Sequence, residues 1–369
     1  MNNRFLPRFL AATAVLSIMI YAINCRPAWS PDGKKVAWVY MGEDLAGIAV
    51  HDIASEKTIS LLEVPSEDLI PIEVFWEKSG KGLFYVSAPA EDGEKELVMV
   101  SRYDFKSRRH ELVSRIALSG ASMASSLYPI FLQKGKYLWI YRDEEGYCRI
   151  NIRSGEKMNL PGGKSRLYFD NGRRIYFLES SSDKVLTITR MKSGLFSGEK
   201  KLFSLPLEHK EENLVPICSI PRDENRFACI HEDEDREVLT IYDRKKKRIL
   251  NFPAPDGFSF LLDDDNASGM TSSVWESSGK RLFLGCAKEE KDLFVAGFME
   301  INVEKKSTNW IPVMKITGDD QLLLFQPSLS PGEDRLAVTM MTNEQFYLGL
   351  VDISGKEKGV ALVESPATK

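Results

Sequence analysis

The chain has 369 residues, 43% hydrophobic and 28% charged, which excludes an intrinsically disordered protein and is long enough to bury a sizeable core. Its formal net charge of -4 excludes a chain whose overall balance draws it to nucleic acid or another polyanion. Length alone allows two or three domains, a prior that yields to an internal repeat where one exists.

Residues 1–24 begin with Arg4 and Arg8, followed by an apolar run from Phe9 to Ile23. That run suits the apolar region of a signal peptide and falls short of the about 17 to 25 residues that a membrane span needs. Export is therefore expected, with residues 1–24 serving as a signal peptide or as an N-terminal membrane anchor and residues 25–369 forming the exported domain. The stretch AINC, residues 22–25, resembles the lipobox of bacterial lipoproteins, which implies lipidation of Cys25. Asn24 departs from the small residue usual before that cysteine, so an uncleaved anchor and an inert buried Cys25 stay open as alternatives.

Directly after this leader comes WSPDGKKVAW from Trp29, and the pattern returns six times. The later copies are WEKSGKGLFY from Trp76, FLQKGKYLWI from Phe131, YFDNGRRIYF from Tyr168, IPRDENRFAC from Ile220, WESSGKRLFL from Trp275 and LSPGEDRLAV from Leu329. The first, eighth and tenth positions are apolar throughout, and the fifth is glycine in Gly33, Gly80, Gly135, Gly172 and Gly279. Asp-Gly, Asn-Gly or Ser-Gly between alternating apolar runs supplies the positive φ of a type I′ hairpin turn, so each copy reads as two paired strands, A and B.

Each interval leaves room for two further short strands, as VPICSI, RFACI, EVLTIYD and ILNFP show in the fifth unit. Four-stranded sheets at this period cannot bury both faces alone and must stack on their neighbours. The expected fold is all-β, a seven-bladed β-propeller of four-stranded antiparallel blades, with units near 27–75, 76–127, 128–165, 166–215, 216–270, 271–323 and 324–369. The first blade starts on its own innermost strand, and GVALVES near the C-terminus supplies the outermost strand of the last. The opening column, Trp29, Trp76, Phe131, Tyr168, Ile220, Trp275 and Leu329, is expected between blades.

WSPDGKKVAWV resembles the repeat of TolB-type propellers, a repeat also found in the propellers of prolyl oligopeptidase-like and tricorn-like proteases. The likeness covers nearly all of residues 25–369, with closely matching residues in the first unit and decayed ones in the other six. TolB has a separate N-terminal α/β domain and fewer blades, so its role in envelope integrity is not implied. The proteases add a hydrolase domain, and no G-x-S-x-G occurs here. Some seven-bladed propellers of this repeat type are metal-dependent pectate or oligogalacturonate lyases, whose chemistry needs a histidine cluster. Here His51, His110, His209 and His231 fall in different units without metal-ligand spacing.

No catalytic residue, metal site or cofactor is expected. Asp263, Asp264, Asp265 and Asn266 could hold a hard cation, but lack EF-hand spacing and read as a solvated acidic connection. If the fifth hairpin keeps the register of the first, Cys218 lies opposite Cys229 and a disulfide is possible in an oxidising compartment. Cys148 and Cys286 read as buried free thiols.

Charge separates by loop type. The A-to-B and C-to-D turns, at one end of the blades, carry Lys34, Lys35, Arg108, Arg109, Arg173, Arg174, Lys245, Lys246 and Lys247. The B-to-C loops and the connections between blades, at the other end, carry Asp44, Glu67, Asp68, Asp233 and Asp263 to Asp265. The expected function is non-catalytic binding or scaffolding at the cell envelope, tethered at the N-terminus, with the basic end meeting an envelope protein or an anionic envelope polymer. The alternative is a polysaccharide-directed propeller enzyme, lyase or hydrolase, with its site at the central channel.

Overall fold

The structure is a computed structural model and describes residues 26–366 except 43, 90–95, 119–130, 134–135, 143–145, 160–165, 171–173, 182–184, 192–198, 207–214, 217–223, 234–235, 262–271, 291–292, 318–321, 323, 343–345 and 355–358. The described strands form six antiparallel sheets of four strands and one of five. The first comprises Ala28–Trp29, Lys35–Met41, Leu45–Asp52 and Lys57–Pro65, and the second Leu69–Trp76, Gly82–Pro89, Glu96–Asp104 and Arg109–Leu118. Phe131–Gln133 to Lys157–Asn159, Arg166–Asp170 to Glu199–Pro206, and Val215–Pro216 to Arg248–Pro253 form the next three. Phe258–Phe260 to Ser307–Thr317 build the five-stranded sheet, and Leu324–Leu329 to Val360–Glu364 the last. The first sheet starts on its own strand A, and Val360–Glu364 is the outer strand of the last, both as expected.

The sheets run as antiparallel meanders, and among the described residues neighbouring sheets bury each other's apolar faces. Strand A of the first sheet touches strand A of the second and strand A of the last, which identifies these as the innermost strands and brings the two ends of the chain together. One core cluster joins Trp38 and Tyr40 of the first sheet to Val74 and Leu83 of the second and Phe346 and Leu348 of the last. Further clusters join the second sheet to the third, the fifth to the sixth and the sixth to the seventh. The alternation of strand B, with apolar residues on both faces, is what two-sided packing requires.

The opening column behaves as an inter-sheet seam, though less buried than expected. Trp275 is buried, whereas Trp29, Trp76 and Leu329 are half-buried; the side chains of Phe131, Tyr168 and Ile220 lie outside the described residues. The indole nitrogens show why. Trp76 Nε1 donates to the carbonyl of Ala28, 2.8 Å away, and Trp29 Nε1 to that of Ser328 at 3.3 Å. Each ring thus crosses to the residue just before the same column in the preceding sheet, leaving one edge open at the turn end.

The A-to-B turns differ from the type I′ expectation, which needs two consecutive residues at positive φ. Gly33, Gly80 and Gly279 have φ of 71°, 70° and 68°, but the residues before them are not left-handed. The Gly33 N–H closes onto Ser30 O at 2.9 Å, and Gly80 and Gly279 repeat this on Glu77 and Glu276. These are longer loops built on a turn followed by one left-handed residue. Glu224 and Glu333 take the same position in the fifth and seventh sheets at φ of 55° and 57°.

Two expectations need correction in the fifth and sixth units. Four hairpins share one register, Trp29↔Val36, Trp76↔Leu83, Trp275↔Leu282 and Leu329↔Leu336. In the fifth, Cys229 faces Pro216, not Cys218, and is a buried free thiol; Cys218 itself lies outside the described residues. The two described pairs, Val215↔Ile230 and Pro216↔Cys229, lie two residues from the shared register, an even shift that leaves those side chains on the same faces. The second correction concerns Asp263 to Asp265. Phe258–Phe260 already pairs with the B strand of the sixth sheet, and Leu261 N and Ser272 O both bond Gly285. The acidic run, itself outside the described residues, is therefore flanked on both sides by strands of one sheet, Phe258–Phe260 and Ser273–Trp275, and not by strands of two sheets.

Burial pushes the Cys229 thiol up to about 12 and raises that of Cys286 further, so both stay protonated and weakly nucleophilic. Peptide mapping after treatment with a thiol reagent near neutral pH should find label on Cys229 and Cys286 only once the protein is unfolded. Labelling of either in the native protein would contradict the packing described.

Candidate functional site

The A-to-B and C-to-D turns lie at the same end of each blade, tied by a bond that repeats around the molecule. Ile53 N donates to Lys34 O, Phe105 N to Lys81 O, Ile152 N to Lys136 O, Arg244 N to Asn225 O, Val303 N to Lys280 O and Ile353 N to Asp334 O, at 2.8 to 3.1 Å. This end carries the cations singled out from the sequence.

One column of its polar side chains caps its own turns. Strand C ends on Asp52, Asp104, Asn151, Asp243, Asn302 or Asp352, and in each the side-chain Oδ1 accepts N–H groups of the following turn. Asp52 takes Ser55 N at 3.0 Å and Asp104 takes Ser107 N at 2.9 Å. These bonds favour the ionised form: that from Ser107, with the Arg102 guanidinium, holds the Asp104 carboxyl at about 2, and that from Ser55 lowers Asp52. A short polar side chain that caps its own turn is a common turn device. Those aspartates stay charged but are fixed on their own turns, and beside them the exposed lysines and arginines of the same turns outnumber the exposed Glu56, Glu156 and Glu304.

Lys245, Lys246 and Lys247 are exposed in the C-to-D turn of the fifth sheet, where Lys247 is left-handed at φ 49°. Arg108, exposed and at φ 54°, holds the same turn position in the second sheet, and exposed Arg109 opens its outer strand. Arg174 begins a strand of the fourth sheet, and Arg173 lies outside the described residues, as does Cys25. The described ones share one end of the blades and lie in the second, fourth and fifth sheets, so they form a distributed face and not one cluster. At the other end Asp44, Glu67 and Asp68 are exposed, and Ser66 N bonds Asp44 O at 2.9 Å.

Sequence reasoning missed three features. The first is the C-to-D Asp/Asn column itself, hidden because the B-to-C loops vary in length. The second is an arginine clasp from strand B onto the next sheet's A-to-B turn: Arg226 donates to the carbonyl of Gly279, and Arg281 to those of Glu333 and Ile353, each at 3.4 Å. The third lies on the innermost strands. Glu73, 7% exposed, follows a β-bulge in strand A of the second sheet, and burial raises its carboxyl well above the usual range despite the charge of Arg26 nearby. Arg26, Glu73, Ser272 and Gln326 each stand three positions before their opening residue, so the repeat sets one polar position on four innermost strands.

The histidines do not converge. His51 Nδ1 lies 3.0 Å from Thr58 Oγ1, His231 Nε2 2.9 Å from Thr240 Oγ1, and His110 bridges Tyr85 OH and Leu61 O; His209 is outside the described residues. Among the described residues no three His, Cys, Asp or Glu side chains come together as a metal ion would require.

No known family profile matches the chain, and no curated protein matches it. Solved structures do. An oligogalacturonate lyase in complex with manganese aligns with TM-score 0.57 at 11% identity, over 90% of this chain and 89% of that one. Oligogalacturonate lyase from Vibrio parahaemolyticus gives 0.51 at 11% identity over 94% and 91%. TolB from Acinetobacter baumannii gives 0.43 at 12% identity over 89% and 82%, too loose a match to carry an argument. What this chain shares with the two lyases is architecture: an all-β chain of antiparallel sheets in the β-propeller fold.

Proposed function

We propose that the chain is a non-catalytic binding propeller of seven blades, exported to the cell envelope and tethered there by its N-terminus, whose turn end captures an anionic partner. The observation that carries this reading is the charge balance of the C-to-D turns, where aspartates cap backbone N–H groups and exposed lysines and arginines outnumber the exposed Glu56, Glu156 and Glu304. A solvated face evolved for solubility alone would keep the two signs near balance. The field of such a face draws in a polyanion and fades with salt.

Poly-L-glutamate is the probe. Its affinity should fall about tenfold or more between about 0.05 M and about 0.3 M sodium chloride, since the Debye length shrinks from about 14 Å to about 6 Å. Reversing Lys245, Lys246 and Lys247 to glutamate should cost at least about another tenfold, chiefly in the association rate. Binding indifferent to both changes would remove the basis for the reading. The second reading, a polysaccharide-directed enzyme, is favoured by one observation, the buried Glu73 carboxyl beside Arg26 on the innermost strands. Turnover of an anionic envelope glycan, abolished by Glu73→Gln, would install it in place of the first.

A further inference from the structure

We propose that the groove between the first and second sheets, at the turn end, holds an acidic peptide segment anchored by one aliphatic or aromatic side chain. This deepens the reading of the turn end as an anion-binding face and rests on it. The groove has a volume of about 720 Å³. Its floor is Trp76 and Phe105 of the second sheet, one wall is Ile59 and Leu61 on the outer strand of the first, and Lys35 and Arg108 stand at its margin.

The aromatic geometry selects the kind of ligand. Trp76 and Phe105 stack on each other, centroids 5.2 Å apart and planes 14° from parallel, and the Lys35 ammonium sits 5.8 Å over the Phe105 ring. The Trp76 indole N–H is spent on Ala28 O. Stacking has covered a face of each ring that a sugar would lie on, and the donor that would meet its hydroxyls is taken. What the groove offers beside the rings is aliphatic surface, including Ile59 at 52% exposure, which suits an apolar side chain. The wall is fixed, because His110 of the second sheet reaches Leu61 O at 3.0 Å and Tyr85 OH at 2.9 Å.

Charge complementarity supplies the rest. Lys35, 3.8 Å from Asp52 Oδ2, and exposed Arg108 flank the apolar floor, and Lys106 is exposed in the same turn as Arg108. Asp32 also borders the groove, but its carboxylate already accepts Ser30 Oγ at 2.6 Å and Lys34 N at 3.2 Å. An apolar side chain flanked by aspartates or glutamates places its anchor on the floor and its carboxylates against the two cations.

The test uses the intact protein and two synthetic peptides of Asp and Glu, one with a central leucine and one with serine there. The leucine peptide should bind about tenfold more tightly, the expected order for one buried aliphatic side chain. Ile59→Glu and Arg108→Glu should each remove about tenfold of that binding. Both sites are exposed, and Glu56 already holds the turn position of Arg108 at the same φ of 54°, so neither change threatens the fold. The Lys245, Lys246 and Lys247 reversal should leave the preference for leucine intact. Equal affinity for the two peptides, or indifference to Ile59→Glu and Arg108→Glu, overturns the groove while salt-sensitive capture of poly-L-glutamate still upholds the face. A neutral oligosaccharide that displaces the leucine peptide overturns the peptide as occupant. Failure of every acidic probe, poly-L-glutamate included, overturns both.

Discussion

Replacing Arg226 with alanine should destabilise the protein by about 3 kcal/mol, because it leaves a buried carboxylate without its closest cation. The Arg226 side chain is 8% exposed and that of Asp243 is 2% exposed, with Nε 3.4 Å from Oδ2. Arg226 also donates to the Gly279 carbonyl and so joins the fifth sheet to the sixth. Truncating one partner of such a pair typically costs about 3 to 5 kcal/mol. Arg248 Nε, 4.0 Å from the same oxygen, holds the loss to the lower end. Adding Asp243→Asn should restore part of it, since the amide oxygen can still cap Lys246 N while the orphaned charge disappears. Arg281→Ala should cost less, as its side chain is 22% exposed and its partners Glu276 and Glu300 are 16% and 20% exposed. Urea denaturation of the four proteins measures these differences. A loss below about 1 kcal/mol for Arg226→Ala, or no recovery in the double variant, would show that the pair is not a buried tie between sheets.

The A-to-B hairpin was legible because its signals are local: apolar residues at fixed spacing and a glycine at the one left-handed position. Glu224 and Glu333 broke the glycine signal without breaking the conformation, since their turns hold a left-handed residue whatever its side chain. The C-to-D turns carry an equally regular signal in Asp52, Asp104, Asn151, Asp243, Asn302 and Asp352. It stayed hidden because B-to-C loops of unequal length move it relative to the hairpin. The sixth sheet misled for a different reason. FSFLL looks like the end of one unit, and only long-range pairing of Phe258 with Lys288 assigns it to the next. The basic turn end was readable once the strand order was known, but the groove was not. Trp76 and Phe105 are far apart in sequence, and the stacking that covers their faces is a tertiary fact.

Glu73 was invisible for a related reason, since one carboxylate in LIPIEVFW reads as the solvent side of an alternating strand. The extra residue Ile72 opens the register between Pro71 and Glu73. With both neighbouring strands packed against it, the side chain is left 7% exposed. Burial raises its carboxyl well above the ordinary 4.5, and the charge of Arg26 only partly opposes this. The sign of the consequence follows from proton counts. Above pH 4.5 the unfolded chain releases this proton while the folded chain keeps it, so folding is favoured less as pH rises, by up to about 1.4 kcal/mol per unit, until the folded group ionises too. Glu73→Gln keeps the shape of the neutral acid and removes that slope. The variant should match the wild type near pH 4 and exceed it by at least about 1 kcal/mol at pH 7. Arg26→Gln should extend the wild-type loss to higher pH, because the nearby cation, with the Val74 N–H, eases ionisation of Glu73. Stability curves of wild type and Glu73→Gln that run parallel from pH 4 to pH 8 would mean that Glu73 is charged in the folded protein, and with it would go the case for a neutral carboxyl on the innermost strands.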